Sequence, residues 1–159
     1  MAEKERATFA AGCFWGVEEA FRTLDGVLET AVGYMGGDVD NPTYQLVCSG
    51  ETGHAEVVDL VFDPAIISYQ QLLERFWNKH NPTTLNRQGW DIGTQYRSAI
   101  FYHSEQQRQE AEASRDALDA SDRYTDSVVT EITPAGEFWW AEEYHQQYLL
   151  KQNRPTCKF

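Results

Sequence analysis

Stretches of helical periodicity alternate with short apolar runs along this chain, and that alternation sets the class of fold open to it. Arg6 to Ala10 is short and apolar enough for a strand. From about Cys13 to Leu24, the residues Phe14, Val17, Phe21 and Leu24 recur at helical spacing, with Gly12 at the entry and Gly26 just past the end. Val27 to Val32 reads as a second strand. His54 to Phe62 reads as a third, crowded with β-branched residues at Val57, Val58 and Val61 and broken by Asp63-Pro64. Ser68 caps a predicted helix to about His80, whose buried stripe is Leu72, Leu73, Phe76 and Trp77. Ser98 to Tyr102 is a short strand. Ser104 and Gln107 have the form of a capping box at the head of a polar helix to about Ala120. Val128 to Thr133 reads as the last strand, ended by Pro134. A final helix is predicted from about Phe138 to Leu150, before an irregular, mobile tail at 151–159.

This order predicts an α+β fold: a two-layer sandwich of helices on one mixed β-sheet, with a ferredoxin-like core. The 159 residues fit one domain, 1–159, large enough to fold without disulfide staples. Two connections are long, Tyr34 to Gly53 and Asn81 to Arg97. Both mix Gly, Pro, Tyr, Asn and Thr without the Ser/Glu/Lys bias of disorder, so both are expected to be ordered and to build a site.

The formal net charge of −12 is the wrong sign for a nucleic-acid footprint. No apolar run approaches a membrane span, and the charged segment Met1 to Arg6 leads straight into a strand. A cytoplasmic monomer is the expectation. The cysteines, Cys13, Cys48 and Cys157, are odd in number and far apart, which argues against a secreted disulfide framework and leaves core filling or thiol chemistry.

The strongest local signal is Gly12-Cys13-Phe14-Trp15-Gly16, at a predicted strand-to-helix junction. A cysteine there meets free N–H groups and the positive end of a helix dipole, and both favour the nucleophilic thiolate. Phe14 and Trp15 supply an apolar wall beside it. An isolated cysteine is more often a buried, inert thiol, but the glycine and aromatic flanks here tip the balance towards the reactive reading.

With Val17-Glu18 following, this motif resembles the active-site motif of A-type peptide methionine sulfoxide reductases. The likeness continues in Val32-Gly33-Tyr34, Asn41-Pro42-Thr43-Tyr44, Val47-Cys48-Ser49-Gly50 and Thr52-Gly53-His54-Ala55-Glu56. It extends through His80-Asn81-Pro82-Thr83-Thr84, Asn86-Arg87-Gln88-Gly89 and Asp91-Ile92-Gly93-Thr94-Gln95-Tyr96-Arg97-Ser98 to Glu143-Tyr144-His145-Gln146-Gln147-Tyr148-Leu149. The resemblance implies reduction of methionine S-sulfoxide, free and in proteins, with thioredoxin as reductant and no cofactor. It makes Cys13 the nucleophile and Glu56 the acid that protonates the sulfoxide oxygen. Tyr44, Tyr96 and Asp91 complete the hydrogen bonding around that oxygen, and Phe14 and Trp15 hold the S-methyl group.

The chemistry fits these types. Thiolate attack on sulfoxide sulfur pushes charge onto oxygen, which needs a proton from an acid and hydrogen bonds from hydroxyls. The sulfenic acid left on Cys13 condenses with a second thiol. Cys157, beside Pro155-Thr156 where the family often has Gly-Tyr, is the best candidate for that thiol; Cys48 competes but reads first as a packed or bystander thiol. His54, His80, His103 and His145 lack the spacing of a helical metal site, so no metal is expected. His80 and His145 read as structural, and the Trp139-Trp140 pair as core. A thiol switch without turnover and a cysteine hydrolase are the alternatives. The first has no use for an acid near Cys13; the second needs a histidine base beside it.

Overall fold

The computed structural model describes residues 4–151; Cys157 and the rest of the tail lie outside them. In chain order the elements are β1 (Glu5–Ala11), α1 (Phe14–Arg22), β2 (Val27–Met35), α2 (Tyr44–Cys48) and β3 (Ala55–Phe62). Next come α3 (Tyr69–Lys79), a small hairpin β4 (Arg87–Gln88) and β5 (Asp91–Ile92), β6 (Ser98–Tyr102) and α4 (Glu105–Ala120). The described residues end with β7 (Glu131–Pro134), β8 (Trp139–Trp140) and α5 (Tyr148–Lys151). The main sheet runs β7-β6-β1-β3-β2-β8. β3 lies antiparallel between β1 and β2, and β1 antiparallel between β3 and β6. The connections through α1 and α3 thus interleave two βαβ units, the ferredoxin-like core expected. β7 pairs parallel to β6, which makes the sheet mixed.

Side chains alternate across a strand, and both sheet faces here are apolar. Beneath α1, α3 and α4 lie Phe9, Val58, Leu60, Phe62 and Ile100, packed with Val17, Phe21, Leu72 and Phe76. Phe9 is the hub: its ring stacks on Phe21 at 5.1 Å and meets Phe76 at 5.3 Å. Burial of a ring of this kind stabilises the fold by roughly 3 kcal/mol. On the opposite face Met35, Val57 and Phe101 are covered by Ala135 and Phe138. Strands buried on both faces read as continuous apolar runs, the pattern seen in β1 and β3.

The Ser68 cap of α3 is a full capping box with Gln71. The Ser104 cap differs from expectation. Its hydroxyl accepts from the Gln107 N–H at 3.1 Å, but the Gln107 carboxamide reaches past Ser104 to the His103 N–H at 2.9 Å and the Arg6 carbonyl at 2.8 Å.

The end of the chain departs most from the sequence expectation. No helix spans Phe138 to Leu150. Trp139–Trp140 instead extends the sheet edge against β2, followed by a 3₁₀ turn Glu143–His145 and the short α5. Tertiary partners outweigh helix propensity here. A side chain at Gly33 would run into the Trp139 carbonyl, so only glycine lets β8 approach. The Ala141 N–H is taken by the Val32 carbonyl at 3.0 Å, and the Gln146 carboxamide bonds both backbone groups of Val32 at 2.8 Å. Gln147 breaks the path with φ 51°. Of the tryptophan pair read as core, Trp140 is exposed. The last predicted strand also shifts. Val129 N–H bonds the Pro82 carbonyl at 2.8 Å, so pairing starts only at Glu131 and ends on Pro134, where an edge tolerates a missing N–H.

Candidate active site

Cys13 occupies the N-cap of α1, partly exposed, between the buried end of β1 and the first helical turn. Gly12 makes the turn with φ 96°, and a Cβ there would meet the Gln88 side chain at 3.0 Å. Gln88 is itself buried and accepts the Asn81 N–H at 3.0 Å, so the long segment after α3 folds onto itself under Cys13. The small β4–β5 hairpin and the 3₁₀ turn Thr94–Tyr96 give that segment its order. The other long segment is closed by His54, whose Nδ1 accepts the Gly37 N–H at 3.0 Å while Nε2 meets the Val39 carbonyl at 2.7 Å. α2 lies within it.

Glu56 is buried on β3, opposite Tyr34 of β2. Its Oε1 accepts the Phe14 N–H at 3.2 Å. The carboxyl thus lies at the head of α1, bonded to the N–H of the residue after Cys13.

Tyr44 opens α2, and Tyr96 ends the 3₁₀ turn. Burial raises both phenols, the more so for Tyr44 through a hydrogen bond with the Cys48 thiol and for both through the charge of Glu56. Tyr96 also feels Cys48, Asp91 and Cys13. Both phenols therefore remain proton-bearing donors at neutral pH, and they share one electrostatic neighbourhood with the predicted groups. Asp91, on β5, is raised by burial. Cys48 is brought to this cluster as well. The residue is exposed, yet burial of its thiol raises it, opposed by hydrogen bonds from Tyr44 and Tyr96.

Phe14 is buried, and Trp15 is partly exposed. His145, completely buried, stands between them, its ring 5.1 Å from Phe14, 5.6 Å from Trp15 and 4.5 Å from Tyr44. The Trp15 indole N–H donates to His145 Nδ1 at 2.9 Å, and the indole stacks on Tyr148 at 3.9 Å. Burial lowers His145, against the pull of Glu142. The neutral ring that accepts at Nδ1 carries its proton on Nε2. Reading the sequence identified neither this packing role nor that of Glu142. The Glu142 carboxylate accepts from the Tyr34 hydroxyl and the Tyr44 N–H, both at 3.0 Å. Desolvation would raise its pKa, but those hydrogen bonds and His145 outweigh it and hold the carboxyl below its ordinary value. Glu18, buried on α1, accepts the Gln147 N–H at 2.6 Å and the Thr30 hydroxyl at 2.8 Å, tying the segment that carries Tyr148 to the helix. All of these contacts except Glu18 to Thr30 span about a hundred residues or more, and only the run Glu143-Tyr144-His145-Gln146-Gln147 hinted at them in sequence.

His80 is a separate matter. It caps α3, with Nδ1 at 2.8 Å from the Phe76 carbonyl and Nε2 at 2.6 Å from the Ser98 hydroxyl, and burial pushes it down to about 4.

A thiol at a helix head, a buried carboxyl one residue away, two phenols and an aromatic wall form a set suited to attack on a small polar sulfur centre. The sequence profile of the peptide methionine sulfoxide reductases matches residues 5–159. The chain belongs to that family. It is 60% identical over 157 residues to the peptide methionine sulfoxide reductase MsrA of Methanothermobacter thermautotrophicus, covering 99% of this chain and 93% of the relative. Among solved structures it resembles reduced Mxr1 of Saccharomyces cerevisiae, with a TM-score of 0.89 and 36% identity over 95% of this chain and 87% of that one. It also resembles Mxr1 in complex with Trx2, with a TM-score of 0.66 and 26% identity over 92% of this chain and 85% of that one. Like its relatives in the family, the chain is an oxidoreductase acting on methionine sulfoxide. No helix among the described residues is long and apolar enough to cross a membrane.

Proposed function

We propose that the enzyme reduces the S epimer of methionine sulfoxide, free and in peptides, through Cys13. The observation that carries this reading is the Glu56 carboxyl, buried at the head of α1 and bonded to the N–H of the residue after Cys13. The substrate's S-methyl group lies against Phe14 and Trp15. The Cys13 thiolate attacks the sulfoxide sulfur while Glu56 gives a proton to the oxygen, and Tyr44, Tyr96 and Asp91 hydrogen-bond that oxygen as charge develops. The substrate's S–O bond and the new bond between the two sulfurs then break as the hydroxyl passes to the Cys13 sulfur, so the thioether methionine leaves and Cys13 is left as a sulfenic acid.

A second thiol, assigned to Cys157, displaces that hydroxyl as water and leaves a Cys13–Cys157 disulfide. A thioredoxin dithiol then returns both thiols and becomes the disulfide itself. The Mxr1 complex with Trx2 supports thioredoxin as reductant. Cys48 competes for the resolving role, since its thiol lies by Tyr44 and Tyr96. The cytosol is the compartment assigned, because the cycle needs a reduced resting thiol and a dithiol donor.

Single turnover tests the assignments. With Cys157→Ser, one equivalent of methionine should form per enzyme, Cys13 should be trapped as a sulfenic acid, and thioredoxin should not recycle it. Normal recycling of that variant by thioredoxin would move the resolving role to Cys48 or to no internal thiol. Failure of the wild-type protein to deoxygenate the sulfoxide at all would sink the whole reading.

A further inference from the structure

We infer that a second binding place adjoins the reacting sulfur: a cationic cleft that takes an acidic side chain of a peptide substrate close to its oxidised methionine. The inference rests on Cys13 being the attacking sulfur. A cleft of about 410 Å³ has Cys13 in its wall together with Lys79 and Arg123, and Asn78, Asn81 and Tyr124 add polar lining. Lys79 is the last residue of α3, and Arg123 follows the end of α4, so two helix ends deliver the two cations to one place. Arg123 is held in position: its Nη2 donates to Asn78 Oδ1 at 2.8 Å, and its guanidinium lies 5.4 Å from the centre of the Tyr124 ring.

Neither cation forms an ion pair among the described residues, although this chain has 25 acidic and 13 basic side chains. Lys4, Arg75 and Arg87 likewise have no ion pair among the described residues but do not line this cleft, whereas Arg6, Arg22, Arg97, Arg108, Arg115 and Lys151 are each paired with a carboxylate. Asp122 and Asp126, from the same turn as Arg123, do not line the cleft. A net charge of −12 repels acidic peptides at long range. Two cations left uncompensated beside the entry offset that repulsion locally and favour a carboxylate. Each residue advances an extended peptide by at most about 3.6 Å. An Asp or Glu one or two positions from the oxidised methionine therefore reaches the cleft while the methionine side chain lies at Cys13.

The test compares two peptides that differ only in Asp or Asn next to methionine sulfoxide, with dithiothreitol as the reductant. The Asp peptide should show about fourfold higher kcat/KM at low salt, each part-exposed pairing contributing about a factor of two. The advantage should shrink at high salt and fall to about 1 in the double variant Lys79→Gln/Arg123→Gln. Equal kcat/KM for the two peptides in the wild-type protein would overturn the inference while leaving Cys13 chemistry intact. An Asp preference that survives in the double variant would also overturn it. So would an effect of the substitutions seen only when thioredoxin replaces dithiothreitol, which would assign the cations to the reductant. If neither peptide nor N-acetyl-methionine sulfoxide amide is reduced, the reading of Cys13 fails and the inference with it.

Discussion

One face of the sheet changes character along its length. Along β3, alternate residues Phe62, Leu60 and Val58 lie under α1 and α3 in a dry aromatic and aliphatic core. The next position in the same series is Glu56, equally buried. Helices cover the first three, whereas the fourth has the helix head after Cys13 and the phenols of Tyr44 and Tyr96 as its neighbours. The same strand period thus places a carboxyl in line with the core but beyond the helical cover, where the Phe14 N–H donates to it. Stability and chemistry are divided along one strand, and substitutions on either side of the division should separate them.

The largest effect belongs to the reactive end. Cys13→Ser should abolish sulfoxide reduction, because no other group at the helix head can attack sulfur, while the melting temperature stays within a degree or two of the parent. A melting scan and a turnover assay on one sample check both halves. Phe9→Ala should do the opposite. It empties the hub between Phe21 and Phe76 and should cost about 3–5 kcal/mol of unfolding free energy, read by urea titration, while kcat of the folded fraction at low temperature stays near the parent value.

Acid should weaken the helix-covered end through His80. Its proton is taken up near pH 6.5 in the unfolded chain but only near pH 4 in the folded one. The unfolded state thus binds more protons between these values, so this contribution to stability is complete above pH 6.5 and is lost as pH falls towards 4. The loss should be about 3 kcal/mol, measurable as a falling urea midpoint that His80→Gln flattens. The smallest effect is expected at the wall of the site. Trp15→Phe removes the hydrogen bond to His145 and part of the stack on Tyr148, so KM for a sulfoxide peptide should rise about fivefold, the worth of one net hydrogen bond. An unchanged KM would show that the wall does not need the indole.

The helix-covered end was legible in sequence because its periodicity is local. The stripe Leu72, Leu73, Phe76 and Trp77 and the β-branched run of β3 each declare one element. The reactive end was legible only in part. Cys13 stood out by its setting at a strand-to-helix junction, but Glu56, Tyr44, Asp91 and Tyr96 were singled out by family resemblance, since nothing local distinguishes a buried strand glutamate from an exposed one. α2, of five residues, is too short for periodicity to reveal. The segment from Phe138 to Leu150 misled because its side chains serve distant partners. Glu142 binds Tyr34 and Tyr44, Gln146 holds Val32, and His145 receives Trp15. Such contacts, each about a hundred residues or more apart in sequence, leave no trace in spacing.

The claim most open to a direct check is that the carboxyl at the end of that dry row delivers the proton. Rapid-mixing measurement of Cys13 oxidation by a methionine S-sulfoxide peptide, in the parent and in Glu56→Gln, isolates the first chemical step. A slowing of roughly 10²- to 10⁴-fold with an unaltered melting temperature is predicted. Equal first-turnover rates in the two proteins would contradict the account.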